Sequence, residues 1–439
     1  MIQSVAKKIS KMKIHILFIT ALLGIVLSQE KAIGQQRILL SKATVHIGNG
    51  EVLNQGLVGI VGDEIMLVEN ALAYTYERDE WDTIIDLKGQ HLYPGFIAPN
   101  SKLGLTEINA VRATNDYDEV GAMNPHVRAL IAFNAASEVI ATVKTNGVLY
   151  TQTTPQGGRI SGSSSIMKME GWNWEDAALK KDDGIHLNWP STVIGGGWWA
   201  NPSPKKENKA YVENVKKIKD FFKAAVAYSD SNEEFDARFE AMKGVFNGNQ
   251  RLYIHANELR ALLDIIDFKN DLEIKHPVIV GGYDAYKITS QIKNAGIPII
   301  LKGGHTLPEN EDDPVNLPYR LPYLLQKEGV LFCIQNSGRM EAVNTRNLPF
   351  LAGTAMGYGL TEEEAVAAVS FNTAKIIGVD DLIGSIEVGK KATLFVSRGN
   401  ALDMRSNHLT LGMIQGDFIE LMNRQTALYK KYKEKYNKP

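Results

Sequence analysis

Residues 91–105, HLYPGFIAPNSKLGL, run apolar through Pro94-Gly95-Phe96-Ile97 and then turn polar, the pattern of a strand that delivers side chains to a mouth. The side chains delivered there are Asn100 and Lys102, an amide and an ammonium. Neither suits a divalent ion, because an amide is a weak neutral donor and an ammonium repels the cation. They can instead hydrogen-bond a ligand or hold an anion. His255 closes the run LYIHAN, Lys302 and His305 follow PIIL, Asn336 ends LFCIQN, and Arg159 sits in TTPQGGRISGSSS, residues 153–165. Lys102 and Lys302 together would give a pocket a positive potential, unless Lys102 pairs with a carboxylate such as Glu107. His255 reads first as a hydrogen-bonded structural imidazole; paired with His305 it could hold a weak ion. The segment around Arg159 lacks the G-x-x-x-x-G-K-[ST] spacing of a phosphate cradle and reads as a loop at the same mouth. Glu170 and Asp183 carry no spacing that marks a catalytic pair.

These side chains need a scaffold of strand ends. NGVLYTQTT, RLYIHAN, HPVIVGG, GIPIILKGGH and GVLFCIQNSG are apolar strand-like runs separated by helical stretches such as ELRALLDIIDF and YDAYKITSQIKNA. Repeated strand-then-helix order predicts a parallel sheet with helical crossovers, a closed barrel or an open doubly wound sheet, with the chemistry at the C-terminal strand ends. Short strands also fill residues 38–86 and the segment GSIEVGKKATLFVSRGN, which predicts one small β domain built from both ends of the chain. Residues 171–250 interrupt the alternation. They hold Trp172, Trp174, Trp189, Trp198 and Trp199 and a charged helix, and read either as a surface embellishment or as a lid or partner-docking face.

The 439 residues fit one large barrel with a satellite. A net charge of -2 and 22% charged residues leave nothing that suggests a nucleic-acid partner. Lys7, Lys8, Lys11 and Lys13 precede the apolar run ILFITALLGIVL and the small residues Ala32-Ile33-Gly34, the layout of a cleaved export signal over residues 1–34. The expected product is exported, periplasmic or extracellular, with no stable membrane anchor after leader removal. Cys333 is the only cysteine, so no intrachain disulfide forms.

In order and spacing, IIDLKGQHLYPGFIAPNS, NPHVRALIAFN, TNGVLYTQTTPQGGRISG, LYIHANELRALLDII, AGIPII and AVAAVSFNTAKIIGVDDLIGSIEVGKKATLFV resemble the amidohydrolase superfamily in its imidazolonepropionase-like branch. The likeness covers most of residues 38–400. It implies an α/β fold, a (β/α)₈ TIM-type barrel plus a small β-sandwich formed from both ends. The expected layout is β-sandwich over 35–94 and 384–439, the latter with a C-terminal helix, and barrel over 95–383 with the 171–250 excursion. The family holds one or two divalent ions, usually zinc, and hydrolyses C–N bonds with metal-activated water. Its ligand positions fall here on Asn100 and Lys102 for a His-x-His pair, on His255, on Gly281 for a histidine, and on Asn336 for an aspartate. Only His255 keeps the family side chain, so no metal cofactor is expected. The side chains predict a non-catalytic protein that binds a small molecule or a second subunit, as a homo-oligomer or with a related amidohydrolase. The alternative is a hydrolase of C–N bonds with a metal-poor site, in which His255, Lys102 and Asn336 are the catalytic candidates.

Overall fold

At Gly95 the chain passes directly from one sheet into another. A Cβ there would meet the Thr393 methyl at 2.8 Å, so only glycine lets the two sheets sit this close. The computed structural model describes residues 35–195, 206–229, 234–336, 338 and 340–436. The leader and the Trp198-Trp199 pair lie outside the described residues.

Before Gly95 come β1 (Arg37–His46), β2 (Val52–Val61), β3 (Glu64–Asn70), β4 (Thr83–Asp86) and β5 (His91–Pro94). After it, β6 (Phe96–Ser101), β7 (Val148–Thr153), β8 (Ile160–Lys168) and β9 (Ala178–Asn188) begin a second sheet. The short pair β10 (Val193–Ile194) and β11 (Lys206–Glu207) stands apart, and β12 (Arg251–Ala256), β13 (Pro277–Gly281), β14 (Ile299–Leu301) and β15 (Phe332–Ile334) complete the second sheet. β16 (Leu394–Ser397), β17 (Leu409–Ile414) and β18 (Asp417–Phe418) return to the first, where β16 pairs antiparallel with β5. Both flanks of the chain therefore build one eight-stranded sheet around Ile38, Leu40, Val45, Ile60, Leu92, Leu394 and Met413. Each such buried aliphatic side chain contributes about 1.5–3 kcal/mol.

The second sheet has the order β6-β7-β8-β9-β12-β13-β14-β15 and curls into a nearly closed barrel. Helices Leu259–Asp271, Thr289–Ala295 and Leu317–Lys327 connect its later parallel strands. This agrees with the TIM-type barrel plus a small β domain from both ends of the chain that the resemblance implies, with one difference. Strand β8 runs antiparallel to both β7 and β9. The expected mouth loop over 153–165 is therefore shorter: Gly157 and Gly158, both at positive φ, turn a hairpin, and from Ile160 onward the chain is barrel wall. Its hydroxyls disguised the strand in the sequence, yet Ser161, Ser163, Ser164 and Ser165 are all buried.

Residues 171–250 are not a detour outside the barrel either. They supply wall strand β9, in which residues 178–182 are half-buried or exposed and residues 183–187 are buried. They also supply helices Tyr211–Ser229 and Ala237–Asn247, which bury Ile218, Phe222, Met242 and Val245 in the main core. Phe222 meets Phe268 edge-on at 5.0 Å.

Candidate functional site

The C-terminal ends of the parallel strands open into a cavity of about 370 Å³. Asn100 enters it from β6, His255 from β12, Gly281 from β13, Lys302 from just after β14 and Gln335 from just after β15. Ser191, Asn257, Glu258 and Glu309 complete the polar wall.

Asn100 has a left-handed backbone, φ 49, which asparagine tolerates better than most residues. That turn aims its Nδ2 at Gln335 Oε1, 2.6 Å away, so two amides span the seam between the first and last barrel strands. Gln335 Nε2 donates to the Ile300 carbonyl at 3.1 Å, which fixes the amide's orientation. Asn100 Oδ1 is left buried with no partner, an acceptor held at the cavity wall. The Asn100 N–H donates to Gln152 Oε1 at 3.0 Å.

Gln152 leads into a buried polar chain. Its Nε2 donates to Asp183 Oδ2 at 2.9 Å, where Tyr253 O–H also donates at 2.6 Å, and Ser164 O–H donates to Asp183 Oδ1 at 2.6 Å. Full burial nevertheless raises the Asp183 carboxyl above its ordinary range. With its hydroxyl proton committed to Asp183, Ser164 accepts from His186 Nε2 at 2.9 Å. His186 Nδ1 then accepts from His255 Nε2, also at 2.9 Å. Each step fixes the next ring's tautomer, so His255 presents a bare Nδ1 acceptor. Burial pushes the His255 imidazole down to about 4 and His186 well below the ordinary histidine range. Both rings are neutral at pH 7.

Other sequence candidates sit differently. Lys102 does not pair with Glu107: its ammonium lies 4.9 Å from the centre of the Tyr117 ring, while Glu107 accepts from Asn134. Its backbone N–H donates to Glu341 Oε2 at 2.8 Å, and Ser101 O–H donates to Oε1 at 2.6 Å. Glu341 is buried, which raises its carboxyl, and it pins the end of β6 to the short helix Glu341–Asn344 that follows β15. Lys302 is in the cavity wall and paired with Glu309 at 2.9 Å, so it is no free anion hook. Arg159 is outside the lining; its guanidinium donates to the Asn188 carbonyl at 2.7 Å. His305 is exposed and bonded to Thr354 Oγ1 at 2.7 Å, outside the cavity lining, so no ion site forms between it and His255. Asn336 turns away and donates to the Glu341 carbonyl at 2.9 Å. The residue that enters the cavity from the eighth strand is Gln335. Strand parity was the available signal: Cys333 shares a cluster with Val280, Ile300 and Tyr253, which places Gln335 on the same, inward side. His186, Ser164 and Gln152 carried no spacing signal, because three different strands bring them together.

The divalent ion implied by the resemblance does not fit these residues. Asn100 and Gln335 are bonded to one another, Lys102 is turned to Tyr117, and His255 gives Nε2 to His186. Gly281 stands at φ 106, and a Cβ on it would meet Asn257 Oδ1 at 2.5 Å and the Ala256 carbonyl oxygen at 2.9 Å. Among the described residues no group of three or more His, Cys, Asp or Glu side chains could hold an ion.

The amidohydrolase family model matches residues 328–419. An imidazolonepropionase from Alkaliphilus oremlandii (strain OhILAs) is 22% identical over 372 residues, 79% of this chain and 84% of that protein. The crystal structure of an amidohydrolase from Thermotoga maritima MSB8 superposes with a TM-score of 0.73 at 25% identity, covering 87% of this chain and 99% of that one. An adenosine deaminase from Xanthomonas campestris, solved with bound zinc, shares the fold at 13% identity and a TM-score of 0.51, covering 91% of this chain and 98% of that one.

Proposed function

Because the chain belongs to the amidohydrolase superfamily, in its imidazolonepropionase-like branch, we propose that it is an exported, non-catalytic member that binds a small polar ligand at the barrel mouth. One observation carries the reading: the 2.6 Å amide–amide bond between Asn100 and Gln335, where the ligand set implied by the resemblance calls for anionic or imidazole side chains. The His255 Nδ1 acceptor, in the cavity wall, suits a ligand with an N–H group to donate. Assembly with a related, intact amidohydrolase is part of the same reading; its support is the tryptophan-rich sequence, and the Trp198-Trp199 pair assigned to it lies outside the described residues.

Elemental analysis and calorimetry on the purified chain test the proposal. The expected result is well under one equivalent of zinc, iron or manganese, a melting temperature unmoved by chelator, and binding of small amides that is lost in Asn100→Leu. About one tightly held ion per chain, or amide hydrolysis abolished by His255→Leu, overturns it in favour of a hydrolase.

A further inference from the structure

The helix Arg424–Tyr436 buries none of its side chains. Its sequence, RQTALYKKYKEKY, carries five cations and one carboxylate. At about 100° per residue, Leu428, Tyr432, Tyr436 and Tyr429 fall within one arc of roughly 100°. Arg424, Lys431 and Lys435 flank that arc on one side and Lys430 and Lys433 on the other, while Glu434 lies behind. The tyrosines are 64%, 52% and 69% exposed at 429, 432 and 436. Lys433 and Lys435 lie 5.8 and 5.1 Å from the ring centres of Tyr429 and Tyr436, so the ammonium groups border the stripe.

The helix has a defined place. Asn423 caps its start through the Thr426 N–H and donates to Thr145 Oγ1 at 3.2 Å, just ahead of β7. That is the end of the barrel opposite the cavity. The antiparallel β8 finishes at this same end, and the loop after it exposes 96% of Trp172. Of the acids beside Trp172, Glu170 is paired with Lys144 at 2.5 Å and Asp176 with Lys168 at 3.6 Å; Glu175 remains.

We propose that this end of the barrel docks on an anionic lipid surface, the helix lying in the headgroup layer with its tyrosine stripe inward and Trp172 as a second anchor. Aromatic rings with a polar tip settle at the lipid–water boundary, and lysines on both flanks of a stripe reach phosphates on either side. A nucleic acid would use the cations but leave the Leu428–Tyr436 stripe in water, which is why lipid is the better occupant. Among the described residues no helix is long and apolar enough to cross a membrane. Docked this way, the cavity faces away from the surface.

Co-sedimentation of the full chain with vesicles decides the matter. Binding is expected to vesicles of phosphatidylglycerol with phosphatidylcholine and not to phosphatidylcholine alone, and it should weaken steeply with salt. Each lysine contributes about a fivefold gain in partition, so Lys430→Gln with Lys431→Gln, Lys433→Gln and Lys435→Gln should abolish it. Tyr429→Ser with Tyr432→Ser and Tyr436→Ser should weaken binding at least about tenfold, and these exposed changes should leave the melting temperature unmoved. Failure to sediment with anionic vesicles at low salt overturns the proposal. So does a lipid-free dimer that the tyrosine variant dissolves, or equal affinity for duplex DNA.

Discussion

Gly281→Ala isolates the claim that the backbone itself excludes a metal ligand from the sixth strand. Two costs are expected. At φ 106 an alanine is strained by about 1–2 kcal/mol. Its Cβ would also press on Asn257 Oδ1 at 2.5 Å and on the Ala256 carbonyl at 2.9 Å. The carbonyl is tied down because it accepts from the Gly282 N–H at 2.7 Å, and Asn257 Oδ1 accepts from the Tyr283 N–H at 3.4 Å. Relieving such overpacking costs about 1–3 kcal/mol more. Gly389→Ala is the matched control, since Gly389 has φ 89 and nothing within 4 Å of the added methyl. At about 2 °C per kcal/mol for a chain of this size, Gly281→Ala should lower the melting temperature by roughly 4–10 °C and Gly389→Ala by roughly half that or less. Differential scanning calorimetry under one scan rate compares the two. Equal losses would show that Ala256 and Asn257 give way freely, and the steric exclusion of a histidine at Gly281 would be refuted.

The remaining expectations are simpler to state. His255 has its folded pKa lowered to about 4 from an ordinary 6.5, so the unfolded chain binds this proton first as pH falls. Its contribution is complete above pH 6.5 and is lost down to about pH 4, at most about 3 kcal/mol and less because the ring borders an open cavity; melting curves from pH 4 to 8 should flatten in His255→Leu relative to wild type. Tyr253→Phe leaves Asp183 Oδ2 with Gln152 alone and should destabilise by about 1–3 kcal/mol in thermal unfolding, whereas a neutral result would remove Asp183 as the anchor of the His186–His255 chain. Intact-mass analysis of protein from the native host should show a chain lacking residues 1–34; a mature chain that still begins at Met1 or Met12 contradicts export with cleavage.

The barrel and composite sheet were legible because their strands repeat with clear punctuation, and because β5 and β6 announce the crossing with Pro94-Gly95. What stayed hidden was polar wall. Strands β7, β8 and β9 face the interior with Gln152, Ser164, Asp183 and His186, which satisfy one another; a sequence scan for apolar runs reads such residues as loop, and two of the three strands were missed or shortened for that reason. At the site, types were legible and directions were not. Asn100, His255, Gly281 and Lys302 do line the cavity, but whether Gln335 or Asn336 enters it depends on strand parity over a three-residue strand, and the exposed placement of His305 depends on a loop with no periodicity.

The positions that the resemblance assigns to metal ligands depend on one another, which bears on whether a metal site could be built there stepwise. Asn100 Nδ2 is satisfied by Gln335 and the Asn100 N–H by Gln152, whose own amide is committed to Asp183. A histidine at Asn100 would leave Gln335 Oε1 without its present donor and force a larger ring into the seam between β6 and β15. An aspartate at Gln335, the residue that enters the cavity from the eighth strand, would set a carboxylate beside Asn100 with no cation, since Lys102 is held over Tyr117 and Lys302 by Glu309. A histidine at Gly281 meets the Ala256 carbonyl before it meets any ligand. Each single change therefore disturbs an existing contact and gains no ion, because one added ligand beside His255 cannot hold a divalent cation against water. The amide seam is in this sense a stable packing solution of its own. A metal-binding variant requires Asn100, Lys102, Gly281 and Gln335 to change together, along with the backbone at Gly281 that now turns with a positive φ.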